Sequence, residues 1–131
     1  MSHLTFPFKK SITIKIINDK IKTSIECEAA LTDIEIFQAL KYRKKKDFSN
    51  PLILKFPNPL LQTFASLNFS FPIELIAVDY KTHLVKKAQP IKPTKAKGAF
   101  IQGFSEFSLV LLAPIGFGKK HKIEVDKTII K

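Results

Sequence analysis

Few side chains in this sequence are of the kind that carry chemistry. Cys27 is the only thiol, and the histidines are His3, His83 and His121. One cysteine and three scattered histidines cannot supply four zinc ligands at useful spacing, so no metal site is expected. There is no Gly-x-Ser-x-Gly, no glycine-rich phosphate loop and no histidine pair at metal spacing. Cys27 falls in phase with Ile25, which predicts a buried structural thiol, since nothing basic nearby lowers its pKa. His83, in a predicted strand, and His121, in a basic turn, have the chemistry of a general base. Neither has an acid close in sequence to orient it, and surface or turn roles are expected. Gly116-Phe117-Gly118 is too short to cradle a pyrophosphate and predicts a tight turn with positive backbone angles. No cofactor is expected.

Charge is the other chemical signal. The 131 residues carry a formal net charge of +11, from 22 basic and 11 acidic side chains, and Arg43 is the only arginine. Proteins that grip phosphates or bases lean on arginine, whose planar fork matches those acceptors. A lysine surplus instead gives a diffuse field that attracts polyanions without discriminating among them. The lysines concentrate in KYRKKK (residues 41–46) and in residues 81–97, which hold six lysines and no acid. The candidate polyanion surface is therefore Lys44, Lys45, Lys46, Lys86, Lys87, Lys92, Lys95 and Lys97. The simpler reading of the first cluster is a positive end that complements a helix dipole.

These residues must be positioned by short elements. SITIKII (residues 11–17) alternates with Ile12, Ile14 and Ile16 on one face, and Asn18-Asp19-Lys20 is good turn chemistry. The following IKTSIECEA alternates too, so residues 10–29 read as a hairpin. Thr32 with Glu35 forms a capping-box pattern ahead of Ile34, Phe37 and Leu40, predicting the principal helix over residues 33–42. Strands are predicted at LILKF, around 63–69 and 73–78 with Pro72 at a bulge or edge, at THLVKKA, and at 106–112. Residues 88–97 read as a surface loop, 114–120 as a site for a helical turn, and KIEVDKTII as two short strands about Asp126-Lys127.

One helix among many short strands predicts a mainly β (α+β) fold, a small barrel-like or two-sheet antiparallel arrangement. The length predicts one domain over residues 1–131, burying roughly two-thirds of its unfolded surface. Composition excludes a disordered tail, a collagen-like repeat and a disulfide scaffold. Lys9, Lys10 and Lys15 interrupt the N-terminal apolar residues, and the longest uncharged stretch, 56–73, contains Asn58, Gln62, Asn68 and several prolines and serines. Neither a signal peptide nor a membrane span is expected, and the expected setting is the cytoplasm.

The order of segments resembles the bacterial and archaeal family known as domain of unknown function 192 (uncharacterised protein family 0127). The resemblance rests on ALKYR (39–43), LKFP (54–57), FASLNFSFPIELIAVD (64–79) and SLVLLAPIGFGKKHKIEVDK (108–127), and it spans about residues 11–130. It implies a compact β-rich domain with no established activity. Members typically carry Phe-Trp-Met-Lys-Asn-Thr at the central block. Here Ala65, Ser66 and Leu67 replace the Trp, Met and Lys, and Lys41 replaces a Met, whereas Arg43, Phe64, Asn68, Pro72 and Asp79 match. The resemblance thus points to Arg43, Asn68 and Asp79 as ligand-binding residues, with Arg43 offering a fork to a carboxylate or phosphate.

The leading expectation is a non-catalytic binding or interaction module for an anionic small molecule or a protein partner. A face around Ala65 and Leu67 suits a partner or a homodimer. The alternatives are nucleic-acid or polyanion binding through the lysine-rich loops, and an enzyme of unknown class.

Overall fold

The computed structural model describes residues 10–31, 35, 45–54, 66–67, 71–79, 81–92, 99–100 and 107–131. Alternation makes the first hairpin as expected. β1 (Ser11–Ile17) pairs antiparallel with β2 (Lys22–Ala30) in the register Ile14↔Ile25 and Ile12↔Cys27. Asn18 builds the turn, its side-chain oxygen accepting the N–H groups of Lys20 (2.8 Å) and Ile21 (2.9 Å). This is the local bonding that lets Asn replace glycine at such corners.

The remaining elements are β3 (Leu52–Leu54), β4 (Ser66–Leu67), β5 (Ile73–Asp79), β6 (Val85–Ile91), β7 (Ala99–Phe100), β8 (Phe107–Pro114), α1 (Phe117–Lys120) and β9 (Ile129–Ile130). A 3-10 turn occupies Lys45–Asp47. β4 and β7 form a small antiparallel pair. The other strands make one sheet in the order β6-β5-β8-β3-β2-β1-β9. The two ends of that order meet. Leu84 bridges Ile129, Val85 N–H donates to the Thr128 carbonyl (2.9 Å), and Ile130 N–H donates to the His83 carbonyl (3.0 Å). The sheet is therefore rolled and joined along this seam, which suppresses the edge-pairing hazard of an open sheet.

The fold is mainly β with short helical pieces, as the strand-rich pattern predicts. It departs from uniform antiparallel pairing at β2–β3, which run parallel. Ile14, Ile16, Cys27, Ile53, Ile76, Val78, Val85, Leu111, Ala113, Phe117 and Ile130 form one buried interior. Leu52, Leu54, Leu75 and Leu112 are also buried, and Phe48 packs on Phe71 at 5.7 Å, so β3, β5 and β8 are covered on both faces. That is why LILKF and IELIAVD lack clean alternation.

Four local expectations need correction. The segment around His83 is a turn, with φ of +62° at His83, because Asp79 gathers the backbone there and delays β6 until Val85. β6 runs on through Ile91, so residues 88–91, exposed as far as Pro90, are strand and not loop. The end of the chain has one short strand, not two. Thr128 accepts the Glu124 N–H on its hydroxyl (2.8 Å) and folds residues 124–128 into a turn. Pro72 stands just ahead of β5 and outside the ladder. Of the helix expected over 33–42 only Glu35 is among the described residues; it is helical, and its carboxylate accepts the Leu31 N–H at 3.1 Å.

Candidate functional site

The corner between β8 and α1 is built by two glycines and a carboxylate. Gly116 adopts φ +97°, the left-handed region that a side chain disfavours. Glu74, on β5, aims into this corner, and its two oxygens accept the N–H groups of Gly116 (3.0 Å) and Gly118 (2.7 Å). The first turn of α1 thereby gains a negative partner for its unpaired amides. Phe117 is thrust into the barrel interior, and His121 packs on it in a tilted contact with ring centroids 4.4 Å apart. Burial, with Lys120 beside it, holds the His121 pKa below its ordinary value.

Beside this corner lies an open cleft of about 840 Å³. One wall is the Ser24–Glu28 stretch of β2, the other is the Pro114–Phe117 turn with Lys120 and His121, and Ser49–Pro51 close one end. Ile115, 54% exposed, stands on its rim. Cys27 borders the cleft but is 1% exposed, and burial, with Glu26 adding to it, pushes its thiol up to about 12. At such a value the thiolate that nucleophilic chemistry requires is absent near neutral pH. Glu28 is 8% exposed in the same wall.

The expected site residues are distributed differently. Asp79 Oδ2 accepts the N–H groups of Lys81 (2.9 Å) and Thr82 (2.8 Å) and the Thr82 hydroxyl (2.9 Å). The Thr82 bonds, backbone first, hold its carboxyl below the usual carboxylate range. This places Asp79 in a turn-capping role at the end of β5, away from the residues that line the cleft. Arg43, Asn68, Lys44, Lys95 and Lys97, with Ala65, lie outside the described residues, and Ser66 and Leu67 are placed only as the strand pairing with Phe100 and Ala99. Lys45, Lys46, Lys86, Lys87 and Lys92 are exposed. Lys86 pairs with Asp126 at 2.6 Å. These lysines do not line the cleft. Among the described residues no group of three or more His, Cys, Asp or Glu side chains is arranged for a metal ion, and no helix is long and apolar enough to cross a membrane.

Sequence reasoning missed Glu74 and the cleft wall. Glu74 had a signal, being the only charge inside the apolar run of β5 before Asp79. The cleft had none, because it depends on β3 stopping short.

No family model and no curated protein matches the chain. Two solved structures are similar to it. One is a protein of unknown function from Novosphingobium aromaticivorans DSM 12444, at 14% identity and a TM-score of 0.64, covering 92% of this chain and 84% of that one. The other is described as a "putative transcription regulator" from Sinorhizobium meliloti 1021, at 11% identity and a TM-score of 0.63, covering 93% of both chains. At these identities the likeness is one of fold alone.

Proposed function

We propose that this chain is a non-catalytic binding module that takes its partner in the cleft between β2 and the Pro114–His121 turn. The observation that carries the reading is the cleft itself, about 840 Å³ bounded by a strand edge and by the apolar rim residue Ile115. Its lining mixes hydroxyls, carboxylates, a lysine and apolar surface, the makeup of a recognition surface. We further propose that the chain is a divergent member of domain of unknown function 192 acting in the cytoplasm. The order of its segments supports this, and Arg43 and Asn68 remain the family's candidate ligand contacts.

A site-specific crosslinking experiment tests the cleft. Among the described residues the exposed large hydrophobics are Ile115, on the rim, and Val125, which does not line the cleft. A photoreactive amino acid at position 115, in cells of the source organism, is expected to trap one discrete partner identified by mass spectrometry. The same group at position 125 is expected to trap none. No adduct at 115, or equal adducts at both positions, overturns the reading.

A second reading, polyanion binding, draws support from the net charge of +11 and from the description of the Sinorhizobium meliloti neighbour. Its surface is the exposed lysines of the turn before β6 and of β6 itself.

A further inference from the structure

β3 is three residues long, yet it separates two much longer strands. Its residues Leu52–Leu54 pair with Glu28–Ala30 of β2 on one side and with Val110–Leu112 of β8 on the other. Ahead of Leu52 the chain leaves the sheet, and the last bond across this seam runs from Glu28 N–H to the Pro51 carbonyl (3.0 Å). Among the described residues, therefore, residues 22–27 of β2 pair with β1 alone. The path that a longer β3 would take stays open, and it is the cleft.

The backbone of β2 offers that path its hydrogen bonds. Ala29 N–H turns toward β1, donating to the Lys10 carbonyl (2.9 Å), whereas Glu28 N–H turns to the β3 side. By the same alternation Ser24 and Glu26 direct their N–H and C=O groups into the cleft. Among the described residues no group pairs with them there. The outer edge of β6 is a different kind of edge. It carries Lys86, Lys87 and Pro90, the charges and proline that blunt strand pairing. The open stretch of β2 lacks a proline and is walled on its far side by the Pro114–Phe117 turn. It is a vacancy inside the sheet.

We propose that this vacancy accepts an extended peptide segment of a protein partner, which adds as a strand against Ser24 and Glu26. The inference rests on the cleft being the binding site. Side chains of such a strand alternate. Those pointing inward meet Ile25, Cys27 and Phe117 and must be apolar. Those pointing outward stand beside the exposed Glu26 and are best basic. A second copy of this chain suits the site less well, since it brings its whole charge of +11 against an equal charge, far more repulsion than the few lysines of one strand beside Glu26.

The probes are the capped peptides Val-Lys-Val-Lys-Val and Val-Glu-Val-Glu-Val, and the lysine peptide with alternate backbone nitrogens methylated. Amide exchange and chemical shifts are followed by NMR on the full chain. With the lysine peptide at saturation, exchange at Ser24 and Glu26 is expected to slow by about tenfold or more. The glutamate peptide should bind about three- to tenfold more weakly, from the changed pairing with Glu26. The methylated peptide should not protect these amides. Ser24→Pro removes a cleft-facing donor without touching the β1 ladder and should abolish protection. Glu26→Lys should invert the peptide preference even where the proline variant folds poorly. Shifts at Ile115, Lys120 and His121 without protection of Ser24 and Glu26 overturn strand addition while leaving the cleft as the site. Absence of any change in the cleft overturns both. Protection that appears with protein concentration alone, with no peptide, identifies a second copy as the occupant and overturns the partner peptide.

Discussion

Gly116 and Gly118 serve one corner for different reasons, and substitution separates them. A Cβ at Gly116 would meet nothing within 4 Å, so the cost of Gly116→Ala is backbone strain at φ +97°, about 1–2 kcal/mol. A Cβ at Gly118 would lie 3.1 Å from Glu74 Oε1, so Gly118→Ala acts by displacing that carboxylate. Glu74→Ala strips the partner from two amides and should cost about 1–3 kcal/mol in chemical denaturation. In a double-mutant cycle, Gly118→Ala should cost less on the Glu74→Ala background, whereas Gly116→Ala should cost the same on both. Equal coupling at the two glycines would show that the carboxylate does not organise the turn. His121 adds a pH dependence. Its folded pKa lies below the ordinary value of 6.5, because burial and then Lys120 disfavour the imidazolium. The unfolded chain then binds the proton more readily, so stability is full above about pH 6.5 and is lost as pH falls through the folded value. The melting temperature should drop between pH 7 and pH 5, and His121→Phe should remove most of that slope. A slope unchanged by the substitution sinks the assignment.

At the scale of elements, closure of the sheet depends on a buried hydroxyl. Thr128 is 0% exposed, and its Oγ1 accepts Asn18 Nδ2 (2.9 Å) and the Glu124 N–H (2.8 Å). It ties the β1–β2 turn to the segment that joins β9 to β6. Thr128→Val keeps the shape and removes the acceptor, and should cost about 1–3 kcal/mol, with faster amide exchange at Val85 and Ile130. Thr128→Ser should restore most of it. If exchange at the seam is unchanged in Thr128→Val, the hydroxyl does not hold the closure. The strands β1, β2, β5 and β8 were legible because apolar spacing and the Asn18 turn announce them locally. Thr128 was not, because a hydroxyl in a charged segment looks like surface until its partners Asn18 and Glu124 come together. The positive φ at Gly116 followed from glycine spacing, yet the cleft beside it did not. An open strand edge follows from where β3 stops relative to β2 and β8, a relation between distant segments that no local pattern encodes. Asp79 was legible as a turn former from the Asp-Tyr-Lys run, and its three donors explain why.

For the whole molecule the question is whether a charge of +11 is addressed to a ligand or spread over the surface. The exposed lysines fall in separate places. Lys45 and Lys46 follow the segment of the expected helix, Lys87 and Lys92 lie on and after β6, and Lys119, Lys120 and Lys122 lie on and after α1. Carboxylates neutralise part of the total, with Glu124 on Lys20 and Asp126 on Lys86, each at 2.6 Å. A dispersed cationic surface attracts any polyanion in proportion to the charge displaced and releases it as salt screens the field. Retention of a labelled single-stranded oligonucleotide should accordingly fall on the order of tenfold or more between about 50 and 200 mM salt. Reversing Lys87 and Lys92 to Glu should weaken it by the same factor as reversing Lys119 and Lys122, because both pairs remove equal charge from a diffuse field. A site on residues 81–97 demands the opposite. The β6 pair would then abolish binding while the α1 pair left it nearly intact, and retention would survive at 200 mM. That asymmetry, measured by fluorescence anisotropy with the folded state of each variant checked by circular dichroism, would move the function from the cleft to the lysine face. Symmetry between the two pairs leaves the cleft, where shape, apolar surface and unpaired backbone coincide among the described residues, as the site.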